Sequence, residues 1–155
     1  MGIMTYLNIT DDIAAGKSHY MAGVDRAKNM MNLVNNNSTG FTLTAVDEPF
    51  NGTSRSEQEA AAYSFVKVLA KNTKNICITN THALLVTTLE NDVDASAVNY
   101  KVYVNYNNDG TFTCPFKLVP GITMQNVAAA ILRKEGYGDV FCDEMQNTLN
   151  ARAQA

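Results

Sequence analysis

Residues 41–80 read FTLTAVDEPFNGTSRSEQEAAAYSFVKVLAKNTKNICITN, and this stretch decides the fold class. The apolar, β-branched run at 41–46 predicts a strand that is buried on both faces. Two overlapping S-x-x-E patterns at 54–59 are capping-box signals and predict a helix start. Another strand of the buried type follows at 75–80. Strand, helix and strand with connections of this length form a βαβ unit, so the sequence predicts an α/β fold with a parallel sheet.

The residues before this unit extend the same alternation. A short strand is predicted at 4–9, and a long helix is predicted at about 17–34, because apolar residues recur there at spacings of three and four. The face that these spacings define consists of Tyr20, Val24, Ala27, Met31 and Val34. The sequence therefore predicts a strand and a helix ahead of the βαβ unit.

After the βαβ unit, the sequence pattern changes to alternating apolar and polar residues. Alternating stretches at 98–106 and 111–119 flank the turn sequence NNDG and predict a β-hairpin, in which Pro115 would lie at an edge or a bulge. Two further helices are predicted at 124–135 and 139–153, separated by a Gly-Tyr-Gly stop. We therefore expect one domain with a mixed, mostly parallel sheet, flanking helices, and a C-terminal hairpin plus helices.

Composition excludes several classes of protein. The chain has 155 residues and a net charge of -3, which argues against a basic nucleic-acid or membrane-surface module. Its three scattered cysteines argue against a disulfide framework and favour a reducing compartment. With two histidines and no CxxC pair, a structural zinc site is not expected. No apolar run approaches the roughly 18 residues of a membrane span. We expect a cytoplasmic protein that does not bind a membrane.

Two adjacent acids at the end of the first strand are the main candidates for chemistry. A strand that delivers Asp47 and Glu48 at its carboxyl end is the Walker B pattern of nucleotide-hydrolysing enzymes, since ligands of open α/β sheets bind beyond these ends. Asp47 would hold a Mg²⁺-bound water, and Glu48 would orient or deprotonate the attacking water. His82 follows the next strand, so a parallel sheet places it at the same edge, near a terminal phosphate. The alternative is a pair of solvated acids at a strand end.

Four segments together resemble the MutS family of mismatch-repair ATPases. DDIAAGKSHYMAGVDRAK at 11–28 resembles the signature segment, and VDEPFNGTS at 46–54 resembles the Walker B strand with its D-loop. ITNTHALL at 78–85 resembles the strand that ends in a Thr-His switch, and FKLVPGIT at 116–123 resembles the closing hairpin. The segments keep the family's order and approximate spacing from about residue 3 to residue 138.

The resemblance implies roles for three residues at a subunit interface. Ser18, in the signature segment, would contact the γ-phosphate of an ATP bound by the opposite subunit. A helix N-terminus favours an anion, which agrees with this role. Thr53 and Ser54 would form part of the loop that crosses the interface. The implied partners are ATP and a second MutS-like subunit, with DNA contacted through regions that this chain does not contain.

The resemblance also implies which residues act on ATP within one subunit. Asp47 would serve Mg²⁺ through water, Glu48 would activate the attacking water, and His82 would sense the γ-phosphate. Catalysis of this kind rests on positioning and electrostatics. The implied cofactors are ATP and Mg²⁺, and the implied process is DNA mismatch repair or a related DNA transaction.

The chain departs from the family pattern in two places. Phe50 stands where the family has a glycine, and a non-glycine residue adopts positive φ less readily, so the D-loop conformation is the feature most open to change. Ala22, Gly23 and Val24 stand where an acidic residue usually continues the signature helix. These departures predict a divergent member of the family.

The phosphate-binding motif G-x-x-x-x-G-K-[ST] is absent from the 155 residues, and Gly16-Lys17-Ser18 matches only its end. We therefore expect the C-terminal half of an ABC-type P-loop ATPase domain: a single partial domain at 1–155, with a C-terminal helical part at 121–155. Alone, it would be inactive. One alternative is a stand-alone, non-catalytic dimerisation module of ABC-like fold. Another is an unrelated α/β domain that carries these motifs by chance.

Overall fold

The computed structural model describes residues 1–7, 19–37, 40–107, 111–123 and 127–153. The chain divides into two compact units, at 1–98 and 99–155. A compact unit is not necessarily an independently folding domain, so the expectation of a single partial domain stays a prediction. In the described ranges, no helix combines the length and the apolar character that a membrane span needs.

The first unit is built around a three-stranded parallel sheet in the order β1-β2-β3. Its elements in chain order are β1 (Gly2–Tyr6), α1 (His19–Asn36), β2 (Thr42–Asp47), α2 (Arg55–Ala70), β3 (Asn75–Asn80), α3 (Leu84–Thr87) and a 3₁₀ turn (Thr88–Asn91). The predicted βαβ unit is confirmed, and β3 has its predicted bounds. Strand β1 begins two residues earlier than predicted, and residues 8 and 9 of the prediction lie outside the described residues.

The core of the first unit lies where helices α1 and α2 pack on the sheet. Helix α1 contributes Ala27, Met30 and Val34 to this core, all at most 3% exposed. The predicted face was therefore nearly right, but Met30 and not Met31 is fully buried. The buried positions 27, 30 and 34 are three and four residues apart, which places them on one side of the helix. The principal buried partners from the other elements are Tyr6, Val46, Ala62, Phe65, Leu69 and Leu89.

The opposite face of the sheet carries exposed apolar side chains. Ile3 in β1 and both Ile76 and Ile78 in β3 are 60–67% exposed. They share a face because their positions alternate with the buried ones, and Ile3 and Ile76 both align with Leu43 of β2. The prediction of strands buried on both faces is therefore wrong for the described chain, since β2 and β3 are each covered more fully on one side.

The second unit contains an interrupted hairpin. Strand β4 (Tyr100–Val102) pairs with β7 (Leu118–Pro120), and β5 (Asn105–Tyr106) pairs with β6 (Phe112–Thr113), all antiparallel. The hairpin was predicted, and Pro115, expected at an edge or a bulge, lies in the interruption between β6 and β7. Turn residues 108–110 lie outside the described residues. These short ladders are separate from the parallel sheet, so the expected single mixed sheet is corrected to a parallel sheet plus a local hairpin.

Two helices complete the second unit, α4 (Ala128–Lys134) and α5 (Asp139–Ala153). Helix α4 ends at Lys134, and Gly136, two residues later, has a φ of 90°. The backbone N–H of Gly136 donates to the carbonyl of Arg133, and that of Tyr137 donates to the carbonyl of Leu132. This is a Schellman cap, so the predicted glycine stop is confirmed. Residues 124–126, where the predicted helix begins, lie outside the described residues.

Candidate functional site

The parallel sheet brings the two acids and the histidine to one edge, as the sequence predicted. Asp47 is the last residue of β2 and aligns with Asn80, the last residue of β3. Glu48 follows β2 directly, and His82 lies two residues beyond β3. Because carboxyl ends of parallel strands share an edge, these side chains converge there.

The Glu48 carboxylate is held by the segment that follows β3. Its Oε1 accepts the backbone N–H of His82 at 2.8 Å, and Thr81 Oγ1 donates to its Oε2 at 3.5 Å. The backbone N–H of Glu48 in turn donates to the carbonyl of Asn80 at 2.9 Å. These contacts orient an acid that has an unusual positive φ of 43°.

The His82 imidazole stands beside this carboxylate without being buried. Its Nε2 lies 3.9 Å from Oε1 of Glu48, and its side chain is 98% exposed. At this distance the two groups form an ion pair only when the imidazole is protonated. The exposed ring is free to meet a ligand approaching the sheet edge, which suits the predicted role of His82 toward a phosphate.

The Asp47 carboxylate is fixed by Asn80, whose Nδ2 donates to Oδ1 at 2.7 Å. The described residues contain no group of three or more histidine, cysteine or acidic side chains that could hold a metal ion. Magnesium usually takes one or two carboxylates and fills its remaining positions with waters and phosphates. The donor set therefore fits a Mg²⁺ that Asp47 holds while waters or phosphates fill its other positions, and it does not fit a metal whose positions are all filled by protein ligands.

The loop after Glu48 contains a positive φ angle at a residue that is not glycine, a conformation that costs free energy. Phe50 has a φ of 60°, in the left-handed region. Its ring packs edge-to-face on Phe65 with centroids 5.6 Å apart, and its backbone N–H donates to the Tyr6 hydroxyl at 3.1 Å. Phe50 therefore holds a positive φ without being a glycine, and its aromatic packing opposes the cost of this conformation.

Gly23, the second departure, belongs to the same arrangement. A Cβ atom on Gly23 would lie 2.3 Å from the Tyr6 hydroxyl oxygen. Only a glycine in α1 leaves room for that hydroxyl, which itself fixes Phe50. Burial raises the pKa of Tyr6 above its ordinary value, and its bond to the Phe50 backbone acts in the opposite direction. The hydroxyl thus stays protonated, because the ordinary pKa is already 10.0.

Thr53 and Ser54 are both bound to Glu57 at the start of α2. Their hydroxyls donate to Glu57 Oε2 at 2.7 and 2.6 Å. The bonds from Ser54 and Thr53 lower the pKa of the Glu57 carboxyl below its ordinary value. The predicted helix start is confirmed with Ser54 as N-cap, but its hydroxyl bonds to the Glu57 side chain and makes no side-chain cap to the backbone.

A pocket of about 240 Å³ opens beside Glu48. Three of the predicted site residues line it: Glu48, Thr53 and His82. The pocket also contains a cationic side chain, Arg55, which pairs with Glu59 at 3.1 Å. The lining residues are Glu48, Thr53, Arg55, Gln58, Glu59, His82 and Ala83. Asp47 and Ser54 do not line it. The pocket therefore lies between the start of α2 and His82 at the edge of the sheet.

Ser18 lies outside the described residues, so its predicted contact with a γ-phosphate stays a prediction. Sequence reasoning missed Asn80 and Thr81, which orient the two acids. Asn80 was within reach, because the parallel pairing places it directly opposite Asp47. Thr81 was noticed only as part of the Thr-His pair.

Comparison with known proteins agrees with these features. The family model described as MutS domain V matches residues 1–151. The DNA mismatch repair protein MutS of Protochlamydia amoebophila is 29% identical over 149 residues, which cover 95% of this chain and 17% of that protein. The MutS protein of Clostridium novyi is 25% identical over 150 residues, covering 96% of this chain and 16% of that protein.

The DNA mismatch repair protein Msh3 of Dictyostelium discoideum is also similar, at 28% identity over 167 residues, covering 97% of this chain and 11% of that protein. The chain thus spans about a sixth or less of the length of these relatives. The family match extends over nearly all of the chain, from the parallel sheet to helix α5. The chain therefore belongs to the MutS family and corresponds to its domain V.

Proposed function

We propose that this chain forms the water-activating half of an ATPase domain of the ABC type, in a protein that acts in DNA mismatch repair or a related DNA transaction. Glu48 is the acid that activates the attacking water, Asp47 serves Mg²⁺ through water, and His82 contacts the γ-phosphate. The Mg²⁺ supplies charge neutralisation at the phosphates when bound. Regions outside this chain supply the phosphate cradle and the contacts to DNA.

The orientation of Glu48 is the observation that carries this proposal. A carboxylate that accepts a backbone N–H at 2.8 Å is fixed by the fold, and Glu48 lines a pocket that His82 also lines. General-base or water-orienting groups need such preorganisation at the reacting centre. Two merely solvated acids, the alternative interpretation, would not require a bond from the segment that follows β3.

The interface roles of Thr53 and Ser54 are part of the proposal. Both hydroxyls are bound to Glu57 in the isolated chain. Contact with a nucleotide on a second subunit would therefore exchange a bond to Glu57 for a bond to phosphate. Ser18 of this chain would contact the same nucleotide, which the second subunit binds.

The test is Glu48→Gln in the intact protein that carries this chain. Since general acid–base groups contribute about 10²–10⁴-fold, we expect hydrolysis to fall by roughly that factor while ATP still binds. Glu144→Gln, the same change at an exposed position in α5, is the matched control and should leave turnover unchanged. Normal turnover in Glu48→Gln would refute the assignment of Glu48.

A second candidate function is a non-catalytic interaction module, and the exposed apolar face of the sheet favours it. Ile3, Ile76 and Ile78 form a patch of the kind that marks association surfaces. Replacing Ile76 and Ile78 with threonine should shift the sedimentation of the chain toward monomer if this face self-associates. Hydrolysis that depends on Glu48 would favour the ATPase, whatever the sedimentation result.

A further inference from the structure

Asn80 contacts both acids of the site. Its side-chain amide donates to Asp47 Oδ1 at 2.7 Å, and its backbone carbonyl accepts the N–H of Glu48 at 2.9 Å. The side chain of Asn80 is exposed, so burial does not explain the contact. One residue at the end of β3 therefore holds the side chain of one acid and the backbone of the next.

The chemistry of an amide suits this task. A carboxylate has two oxygens that can accept several bonds, and the Asn80 amide uses only one position on Oδ1. The amide is neutral, so it restricts the rotation of Asp47 without cancelling the negative charge that attracts a cation. A lysine or arginine at this position would fix the carboxylate equally well, but its charge would compete with Mg²⁺.

We propose that Asn80 is a positioning residue for the metal, which presets the Asp47 carboxylate while its backbone carbonyl sets the direction of Glu48. This inference rests on the proposed role of Asp47 as the Mg²⁺-serving acid. Without the amide, Asp47 would sample other rotamers and lose side-chain freedom on metal binding. The effect is on metal affinity, since the strand itself is held by the backbone ladder to β2.

The same strand supplies a matched control at its other end. The Asn75 amide donates to the Thr44 hydroxyl and to the carbonyl of Leu69, so it joins β3 to β2 and α2 inside the fold. Asn75 lies at the amino end of β3, and Asn80 lies at the carboxyl end. An asparagine-to-alanine change at each position therefore separates loss of a structural amide from loss of the positioning amide.

The experiment uses Mn²⁺ as a paramagnetic probe for the Mg²⁺ site, on the full 155-residue chain, with no nucleotide. Backbone amide resonances of the wild-type chain near Asp47 and Glu48 should broaden first as Mn²⁺ is added. Asn80→Ala should need roughly two- to ten-fold more Mn²⁺ for equal broadening, the change expected for one lost hydrogen bond. Asn80→Val, which keeps a strand-forming residue but no donor, should behave in the same way.

Asn75→Ala should keep the wild-type Mn²⁺ dependence even where its unfolding midpoint falls. Wild-type Mn²⁺ dependence in Asn80→Ala or Asn80→Val would overturn the inference, and so would broadening of the wild-type chain that does not centre on Asp47. Hydrolysis is tested separately by Glu48→Gln. If Asn80→Ala needs more Mn²⁺ but the intact protein does not hydrolyse ATP, the role of Asn80 stands and the ATPase proposal is rejected. If the intact protein hydrolyses ATP but Asn80→Ala has the wild-type Mn²⁺ dependence, the ATPase proposal stands and the role of Asn80 is rejected.

Discussion

At the scale of single residues, Tyr6, Gly23 and Phe50 form one interdependent set. The Tyr6 hydroxyl accepts the Phe50 backbone N–H, and Gly23 leaves room for that hydroxyl. Sequence reasoning identified Gly23 and Phe50 as two unrelated departures from the family pattern. Tyr6 connects them, and its part was hidden because it is 44 residues from Phe50 and was predicted only as a strand residue.

We predict that Gly23→Ala destabilises the chain by roughly 1–3 kcal/mol, the usual cost of overpacking. An alanine gains up to about 1 kcal/mol of helix propensity over glycine, but a contact of 2.3 Å with the Tyr6 oxygen outweighs it. The measurement is the free energy of unfolding in urea.

Tyr6→Phe supplies the control, because it removes the oxygen that the new methyl group meets. Alone, it should cost about 1–3 kcal/mol, since the part-buried Phe50 N–H loses its acceptor. In the double variant, Gly23→Ala should be nearly neutral relative to Tyr6→Phe. Strict additivity of the two costs would contradict the coupling described here.

At the scale of elements, the β2–α2–β3 unit was predictable and its loop chemistry was not. Buried-type apolar runs and S-x-x-E patterns report on local structure, so the bounds of β3 and the start of α2 were close to the prediction. The partner of both hydroxyls is close in sequence, since Glu57 lies three residues after Ser54 and four after Thr53. The spacing leaves open whether the Ser54 hydroxyl bonds a backbone N–H or the Glu57 side chain, and in the structure both hydroxyls donate to one carboxylate oxygen of Glu57.

Glu57 gives the start of α2 a pH dependence. Hydrogen bonds from Ser54 and Thr53 lower its pKa in the folded chain below the ordinary value of 4.5. A lowered folded pKa contributes stability above the unfolded pKa, and this stability is lost as pH falls through the folded pKa. We therefore expect wild type to be more stable than Glu57→Gln near pH 7, with the difference shrinking below about pH 4.5.

The measurement is the unfolding midpoint of both chains between pH 7 and pH 3. Glu144→Gln, on exposed helix α5, controls for the loss of one negative charge. A wild-type advantage that stays constant across this range would show that the bonds to Ser54 and Thr53 do not depend on an ionised Glu57.

At the scale of the whole molecule, the sequence predicted which side chains lie together at the sheet edge, but not which face of the sheet is left exposed. Parallel order follows from the βαβ pattern, and it placed Asp47, Glu48 and His82 at one edge before any coordinates were known. The exposure of Ile76 and Ile78 could not be predicted in this way. An apolar strand has the same sequence whether its second face packs within the chain or is left for another segment.

The chain alone lacks the loop that binds the phosphates of ATP in P-loop enzymes. Successive backbone N–H groups of a glycine-rich loop make the phosphate cradle of P-loop enzymes, and the 155 residues contain no G-x-x-x-x-G-K-[ST] segment. The pocket beside Glu48 has one cation, Arg55, which is already paired with Glu59. We therefore expect a fluorescent ATP analogue with Mg²⁺ to bind no more tightly than about 1 mM, or roughly -4 kcal/mol.

The measurement is an equilibrium titration of the chain with the ATP analogue. The same titration is then repeated after adding a segment that carries the phosphate-binding motif. Restored binding on addition would show that the sheet edge with Glu48 and His82 completes a site built by two segments. Micromolar, Mg²⁺-dependent binding by the chain alone would mean that it holds its own phosphate site. Replacing Lys17 with alanine would then locate that site, because Gly16-Lys17-Ser18 is the stretch that most nearly matches the motif.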